Sequence, residues 1–287
     1  MGSEMCIRDS HTGGGMTGGC FADTSISDEK ISVFKTEKAR NMIVAANWKM
    51  NPTLDQAGVL ATALTTHTFA NVTRVLFAPH PYLVPMLVRL SDSGVRIGGQ
   101  DCHFADDGAY TGDVSAAMLR DCGASMVLLG HSERRSAHGE TSHLVAQKVR
   151  AARAQQLPVM LCVGETKAER DHGQAEQVVI DQLQASIPSD MDAKHLTIAY
   201  EPVWAIGTGA VASPDDITTI HALISAVLTE KYGADNLPSI LYGGSVNANN
   251  AADIFAISKV DGALVGGASL DAEAFAAICT AANQISP

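Results

Sequence analysis

Five short segments hold residue types that could do chemistry. Asn47-Trp48-Lys49 closes an apolar run. A lysine there is a fixed positive charge that could hold a phosphate or an oxyanion, or form a Schiff base; taken by itself the fragment reads as a surface lysine. Gly130-His131-Ser132-Glu133-Arg134-Arg135 follows another apolar run. His131 could polarise a carbonyl or shuttle a proton, or be a core histidine satisfied by a backbone carbonyl. Glu133 could pair with Lys49 and hold it, or form an exposed ion pair with Arg134 or Arg135 that is worth little. In Tyr200-Glu201-Pro202-Val203-Trp204-Ala205-Ile206-Gly207 a carboxylate sits among apolar neighbours. Desolvation is expected to raise its pKa and dispose it to act as a base. The sparsely charged stretch from Pro202 to Ala212 suits a closing lid. The other reading is an ordinary loop with Glu201 in solvent, which Val203, Trp204 and Ile206 argue against. Gly243-Gly244-Ser245 and Gly266-Gly267 let backbone N–H groups approach an anion. Each pair alone could equally be a tight turn, with Ser245 as an N-cap.

These segments need elements that bring them together. From Met42 onward, short β-branched apolar runs alternate with stretches of helical spacing. Strands are predicted at 43–47, 74–78, 96–100, 126–130, 159–163, 197–200, 240–242 and 263–265. Helices are predicted near 53–68, 81–91, 114–121, 141–155, 174–186, 214–231, 248–257 and 271–283. Pro52-Thr53 and Ser213-Pro214-Asp215-Asp216 carry start signals. Eight strand-then-helix units in about 245 residues predict an α/β fold, a single closed (β/α)8 barrel. A doubly wound open sheet is the runner-up. The barrel is preferred because polar residues follow many strands and do not gather at one crevice. Strand ends are where such a barrel keeps its reactive groups, and its phosphate sites follow strands seven and eight.

Residues 1–41 read differently and are expected to form a disordered extension to a catalytic domain at 42–287. Gly13, Gly15 and Gly18 match a Gly-x-Gly-x-x-Gly spacing, but no strand precedes them and no amphipathic helix follows. The opening Met5-Cys6-Ile7-Arg8-Asp9-Ser10 has the look of translated adapter sequence, and Met42 offers an alternative start. Neither a signal peptide nor a transit peptide is expected. The formal net charge of -11 disfavours nucleic acid and anionic lipid as partners, and no apolar run is long enough to span a membrane. Six scattered cysteines without a Cys-x-x-Cys pair point to reduced thiols in the cytoplasm. Neither they nor the histidines show metal-ligand spacing, so no metal is expected.

Taken together, Asn47-Trp48-Lys49-Met50-Asn51, Gly130 to Arg135, Ala199 to Gly209, Tyr242-Gly243-Gly244-Ser245-Val246 and Gly266 to Ser269 resemble the triosephosphate isomerase family. The resemblance runs from about Met42 to the C-terminus. It implies a TIM barrel that interconverts dihydroxyacetone phosphate and D-glyceraldehyde 3-phosphate, a step of glycolysis and gluconeogenesis, without a cofactor. By the resemblance, Glu201 is the general base and His131 the electrophile at the carbonyl; a neutral imidazole in that role is itself part of the family's pattern. Lys49 is the positive group near phosphate and enediolate, with Asn47 beside it. Gly207, Ser245, Gly266 and Gly267 take the phosphate positions. Ile206 and Leu264 are the apolar pair covering the base. The segment from Gln100 to Asp113, around Thr111, resembles the loop through which the family forms homodimers. Ala46 and Ala210 depart from the usual glycine and the common lysine at their places. Cys162 matches a core thiol near Glu201 and is read as packing. Two rivals are an aldolase using Lys49 as a Schiff base, and a catalytically silent sugar-phosphate-binding barrel that would need to lack Glu201 or His131.

Overall fold

A computed structural model describes residues 41–207 and 211–285. The glycine motif at Gly13, Gly15 and Gly18, the rest of 1–40 and Ala210 lie outside the described residues. Eight parallel strands form a closed barrel in sequence order. They are β1 Met42–Asn47, β2 Val72–Ala78, β3 Arg96–Gly99, β4 Met126–Leu129, β5 Val159–Val163, β6 Leu196–Tyr200, β7 Ser239–Tyr242 and β8 Gly262–Val265. Ringing them are α1 Leu54–Leu64, α2 Leu83–Arg89, α3 Ala116–Asp121, α4 Ser132–Ala137, α5 Ser142–Ala154, α6 Lys167–Asp171, α7 Ala175–Ser186, α8 Pro214–Tyr232, α9 Ala251–Phe255 and α10 Ala272–Ile285. Each predicted strand lies within two residues of an observed one.

The period of two along a strand divides the core in two. Ala45, Val75, Phe77, Met126, Leu128, Met160, Cys162, Ala199, Leu241 and Leu264 pack with one another inside the barrel. Their alternates, such as Val44, Leu76, Leu161, Ile198 and Ile240, pack outward against helix residues including Leu183, Ile220, Ile224 and Ile278. Buried on both faces, the strands carry the near-continuous apolar runs seen in the sequence. Gly98 makes room for this filling, since a Cβ there would stand 2.6 Å from the Phe77 ring.

The same parity fixes what reaches the mouth. Two residues beyond the inward-facing Ala45, Leu128, Cys162, Ala199, Leu241 and Leu264 come Asn47, Gly130, Gly164, Glu201, Gly243 and Gly266. Only Asn47 and Glu201 among these carry functional side chains, so the glycines leave space around them. Helix starts agree with the sequence: Thr53 closes a capping box with Gln56, and Ser213 closes one with Asp216 behind Pro214. Nothing in the sequence pattern predicts the short helices α4 and α6. The helix predicted at 248–257 shortens to Ala251–Phe255, because Asn247 and Asn250 bond the backbone on either side in a turn.

Candidate active site

The turn after β1 is braced from three sides. Asn47 is buried, and its Oδ1 accepts from the Lys49 N–H at 2.9 Å. Gln100 Nε2 donates to Asn47 Oδ1 (3.3 Å), the Lys49 carbonyl (2.9 Å) and the Phe77 carbonyl (3.1 Å). Trp48 is buried and donates Nε1–H to the Ser269 carbonyl beyond β8. Within this brace Lys49 takes a φ of 53°, a left-handed conformation that costs a non-glycine residue about 1–3 kcal/mol. Its Nζ meets Glu133 Oε1 at 2.6 Å. Glu133 thus holds Lys49, and the exposed pairings with Arg134 or Arg135 are not those formed.

His131 caps the start of α4. Its Nδ1 accepts from the Glu133 N–H at 3.2 Å, and its Nε2 lies 2.9 Å from Glu201 Oε1. A proton on Nδ1 would face that N–H head-on, so Nε2 is the nitrogen that donates, and it donates to Glu201. Burial pushes the His131 pKa down, but the Glu201 and Glu133 carboxylates draw it above its ordinary value. A ligand oxygen taking Glu201's place at Nε2 would remove the larger upward cause. The α4 N-terminus also disfavours a second proton.

Glu201 is 2% exposed at the end of β6. Its Oε2 accepts from the Ser132 N–H at 2.9 Å. The expected rise in its pKa is overturned. Burial does push the carboxyl upward, but His131, the Ser132 N–H and the Cys162 thiol outweigh it and leave the carboxyl below its ordinary value. The Cys162 thiol packs in the inner core, and burial raises its own pKa well above the usual.

Ten of the residues singled out in the sequence line one cavity of about 470 Å³ at the mouth, within the range of small-molecule sites. They are Asn47, Lys49, His131, Glu201, Ile206, Gly207, Ser245, Leu264, Gly266 and Gly267. Glu133 is not in the lining and acts through Lys49. Ser245 Oγ donates to the Ala205 carbonyl at 2.9 Å, tying the β7 loop to the residues after β6. Sequence reading assigned no site role to Gln100, the Ser132 N–H, Asn51 or Asn247: the first three lie inside quoted segments, but no local spacing marks what they touch. Among the described residues, no three His, Cys, Asp or Glu side chains could together hold a metal, and no helix is long and apolar enough to cross a membrane.

Chemically, a carboxylate and an N–H donor in hydrogen-bond contact line the cavity together with an ammonium group and glycine-rich backbone. That set can remove a proton next to a carbonyl and stabilise the oxyanion that develops. The comparisons agree with this chemistry. A family sequence model described as triosephosphate isomerase matches residues 42–282. The triosephosphate isomerase of Ruegeria pomeroyi is 47% identical over 247 residues, covering 85% of this chain and 98% of that protein. That of Xanthobacter flavus is 47% identical over 244 residues, covering 84% and 98%. The crystal structure of triosephosphate isomerase from Bartonella henselae superposes with a TM-score of 0.76 at 38% identity, covering 84% of this chain and 98% of that one.

Proposed function

The chain belongs to the triosephosphate isomerase family, and from that premise we propose how its residues divide the work. The reaction interconverts dihydroxyacetone phosphate and D-glyceraldehyde 3-phosphate, an aldose–ketose isomerisation. Glu201 takes a proton from C1 of the ketose and returns it to C2. His131 supports the enediolate by donating its Nε2 proton to the C2 oxygen, and it regains a proton from the C1 hydroxyl as the aldehyde forms. Lys49 places positive charge beside both the oxyanion and the phosphate, with Asn47 setting its turn and Glu133 its ammonium group. Gly207, Ser245, Gly266 and Gly267 hold the phosphate. Ile206 and Leu264 shut water away from Glu201, which guards an intermediate that would otherwise expel phosphate. The stretch from Pro202 to Ala212, of which 208–210 lie outside the described residues, is read as the lid over the substrate.

The observation that carries this reading is the 2.9 Å approach of His131 Nε2 to Glu201 Oε1 over an open cavity. The two groups part when substrate binds: its carbonyl oxygen takes the Nε2–H in place of Glu201, and the freed carboxylate turns to the neighbouring carbon. The test is a coupled isomerase assay with Glu201→Asp alongside. The shorter side chain retracts the carboxylate by about 1 Å, which lowers turnover roughly 10²-fold or more in a folded protein. Unchanged kcat would remove Glu201 from the reaction. Sugar-phosphate binding with no turnover in the unaltered chain would favour the silent binding barrel, and inactivation by borohydride with substrate present would favour a Schiff base at Lys49.

The enzyme works as a homodimer through the loop around Thr111. Phe104 and Tyr110 on that loop are about two-fifths exposed, and nearby in sequence Met118 is half exposed. Met50, beside Lys49, is 95% exposed. Apolar side chains of this kind gain from a partner surface. Thr111→Arg should shift the mass in light scattering from dimer to monomer; an unchanged dimer would place the interface elsewhere. Cytoplasmic residence is supported by Cys102, Cys162 and Cys279, which are buried and unpaired.

A further inference from the structure

Behind the cavity, on the side away from Lys49, a second group of side chains connects the two ends of the β6–α8 connection. Glu165 follows β5 and is fully buried. Its Oε1 accepts from the Trp204 Nε1–H at 2.8 Å, the Tyr200 hydroxyl at 3.1 Å and Arg170 Nη1 at 2.9 Å. Its carbonyl accepts from the Val203 N–H at 3.1 Å. Trp204 and Val203 stand at the start of the connection, next to Ala205, whose carbonyl holds Ser245 Oγ. At the far end, Asp216 Oδ2 accepts from the Ser213 hydroxyl at 2.7 Å and from the Ser213 N–H at 3.1 Å. The other oxygen of Asp216 pairs with Arg170 Nη2.

Arg170 on α6 therefore joins the two ends. One nitrogen reaches Glu165 and the start, and the other reaches Asp216 and the finish. Its guanidinium also lies 4.8 Å from the Trp204 ring centroid. Only a planar fork can hold two carboxylates and cover an aromatic face at once; a lysine is a single point charge and cannot. None of these atoms lines the substrate cavity.

We propose that Arg170 is a positioning residue for the isomerase reaction: it fixes both ends of the β6–α8 connection, and so fixes where Ile206 and Gly207 stand over Glu201. The proposal rests on the reading of Glu201 as base and of this connection as its cover. It has a distinctive consequence. If the cover is misplaced, the enediolate meets water while the phosphate is loosely held. Its electron pair then breaks the C–O bond to phosphate, releasing inorganic phosphate and an enol that tautomerises to methylglyoxal.

The experiment compares Arg170→Met and Arg170→Lys with the unaltered chain. It measures kcat, KM and the phosphate released per isomerisation. Arg170→Met should lower kcat/KM about 10–100-fold, with KM raised and phosphate release increased several-fold. Arg170→Lys should recover part of each. Removing the cation leaves the Glu165 carboxylate buried without a charge partner, so Arg170→Met is also made with Glu165→Gln; this pair removes the buried charge and leaves the two ends untied. A fall in kcat that only tracks the folded fraction, with KM and phosphate release unchanged, overturns the proposal, as do unaltered kinetics in a folded variant. Glu201→Asp in the otherwise unaltered chain reports separately on the base. If it keeps full turnover the underlying reading fails, whatever Arg170 does.

Discussion

Lys49 pays for its place with a backbone conformation that most residues avoid, and a side chain distant in sequence makes that conformation hold. Gln100 spans the turn and binds Asn47, Lys49 and Phe77 together. Gln100→Leu keeps the bulk and removes the amide. It should leave the Lys49 carbonyl unpaired, while the Phe77 carbonyl keeps the Trp48 N–H, at a cost of about 1–3 kcal/mol. Lys49 should then wander, raising KM more than it lowers kcat. Steady-state kinetics and urea unfolding of the variant check both halves; unaltered KM would mean that Asn47 alone sets the turn. His131 shows a second form of control. Its tautomer is fixed by one main-chain N–H, that of Glu133, so the nitrogen facing the cavity is the one bearing the proton.

At the scale of elements, the approach of β5 to β6 decides where Glu201 stands. Gly164 lies just beyond β5, and a Cβ there would fall 1.7 Å from the Glu201 carbonyl oxygen. Gly164→Ala should push the strand ends apart and destabilise the fold by about 1–3 kcal/mol or more. It should lower activity beyond its effect on stability, because the base itself is displaced; thermal melts with kinetics on the folded protein separate the two. The strands and the longer helices are legible in the sequence because both burial patterns repeat along the chain. Val159 to Val163 is apolar throughout and emerges as β5 without change. The helices α4 and α6, six and five residues long, are too short for a period to register. The residues at the strand ends are legible because parity carries Asn47 and Glu201 to the mouth. Partners joined across long stretches of sequence mostly are not; the Lys49–Glu133 pair, 84 positions apart, is an exception suggested by opposite charges at two strand ends. The Glu201–Ser132 bond spans 69 positions and the Gln100–Asn47 bond 53, and no local spacing encodes either. The pKa of Glu201 departs from expectation for the same reason: its burial can be read from its neighbours in sequence, but its hydrogen-bond donors cannot.

Across the whole molecule, part of the acid resistance depends on a buried group outside the cavity lining. His221 on α8 is fully buried, with Nδ1 at 2.9 Å from the Lys259 carbonyl and its ring edge-on to Tyr200. Burial lowers its pKa from 6.5 to about 4. The unfolded chain therefore takes up a proton that the folded chain refuses between these values. Stability from this group is intact above pH 6.5 and is lost as pH falls toward 4, about 3 kcal/mol in all. Urea unfolding at pH 7 and pH 5 should show a loss of about 2 kcal/mol from this group, absent in His221→Gln; equal losses in both proteins would assign the acid sensitivity to other groups. Activity, by contrast, depends on a carboxylate whose hydrogen-bond donors hold its pKa below the ordinary value against the upward push of burial. The most direct test of that dependence follows deuterium in D2O while dihydroxyacetone phosphate is supplied to the unaltered enzyme and to Glu201→Gln. With Glu201 present, isomerisation should proceed with deuterium entering at the carbon that receives the proton. With the glutamine, neither turnover nor exchange at C1 should occur. Exchange at C1 at the unaltered rate in a folded Glu201→Gln protein would contradict the role of Glu201 as the base.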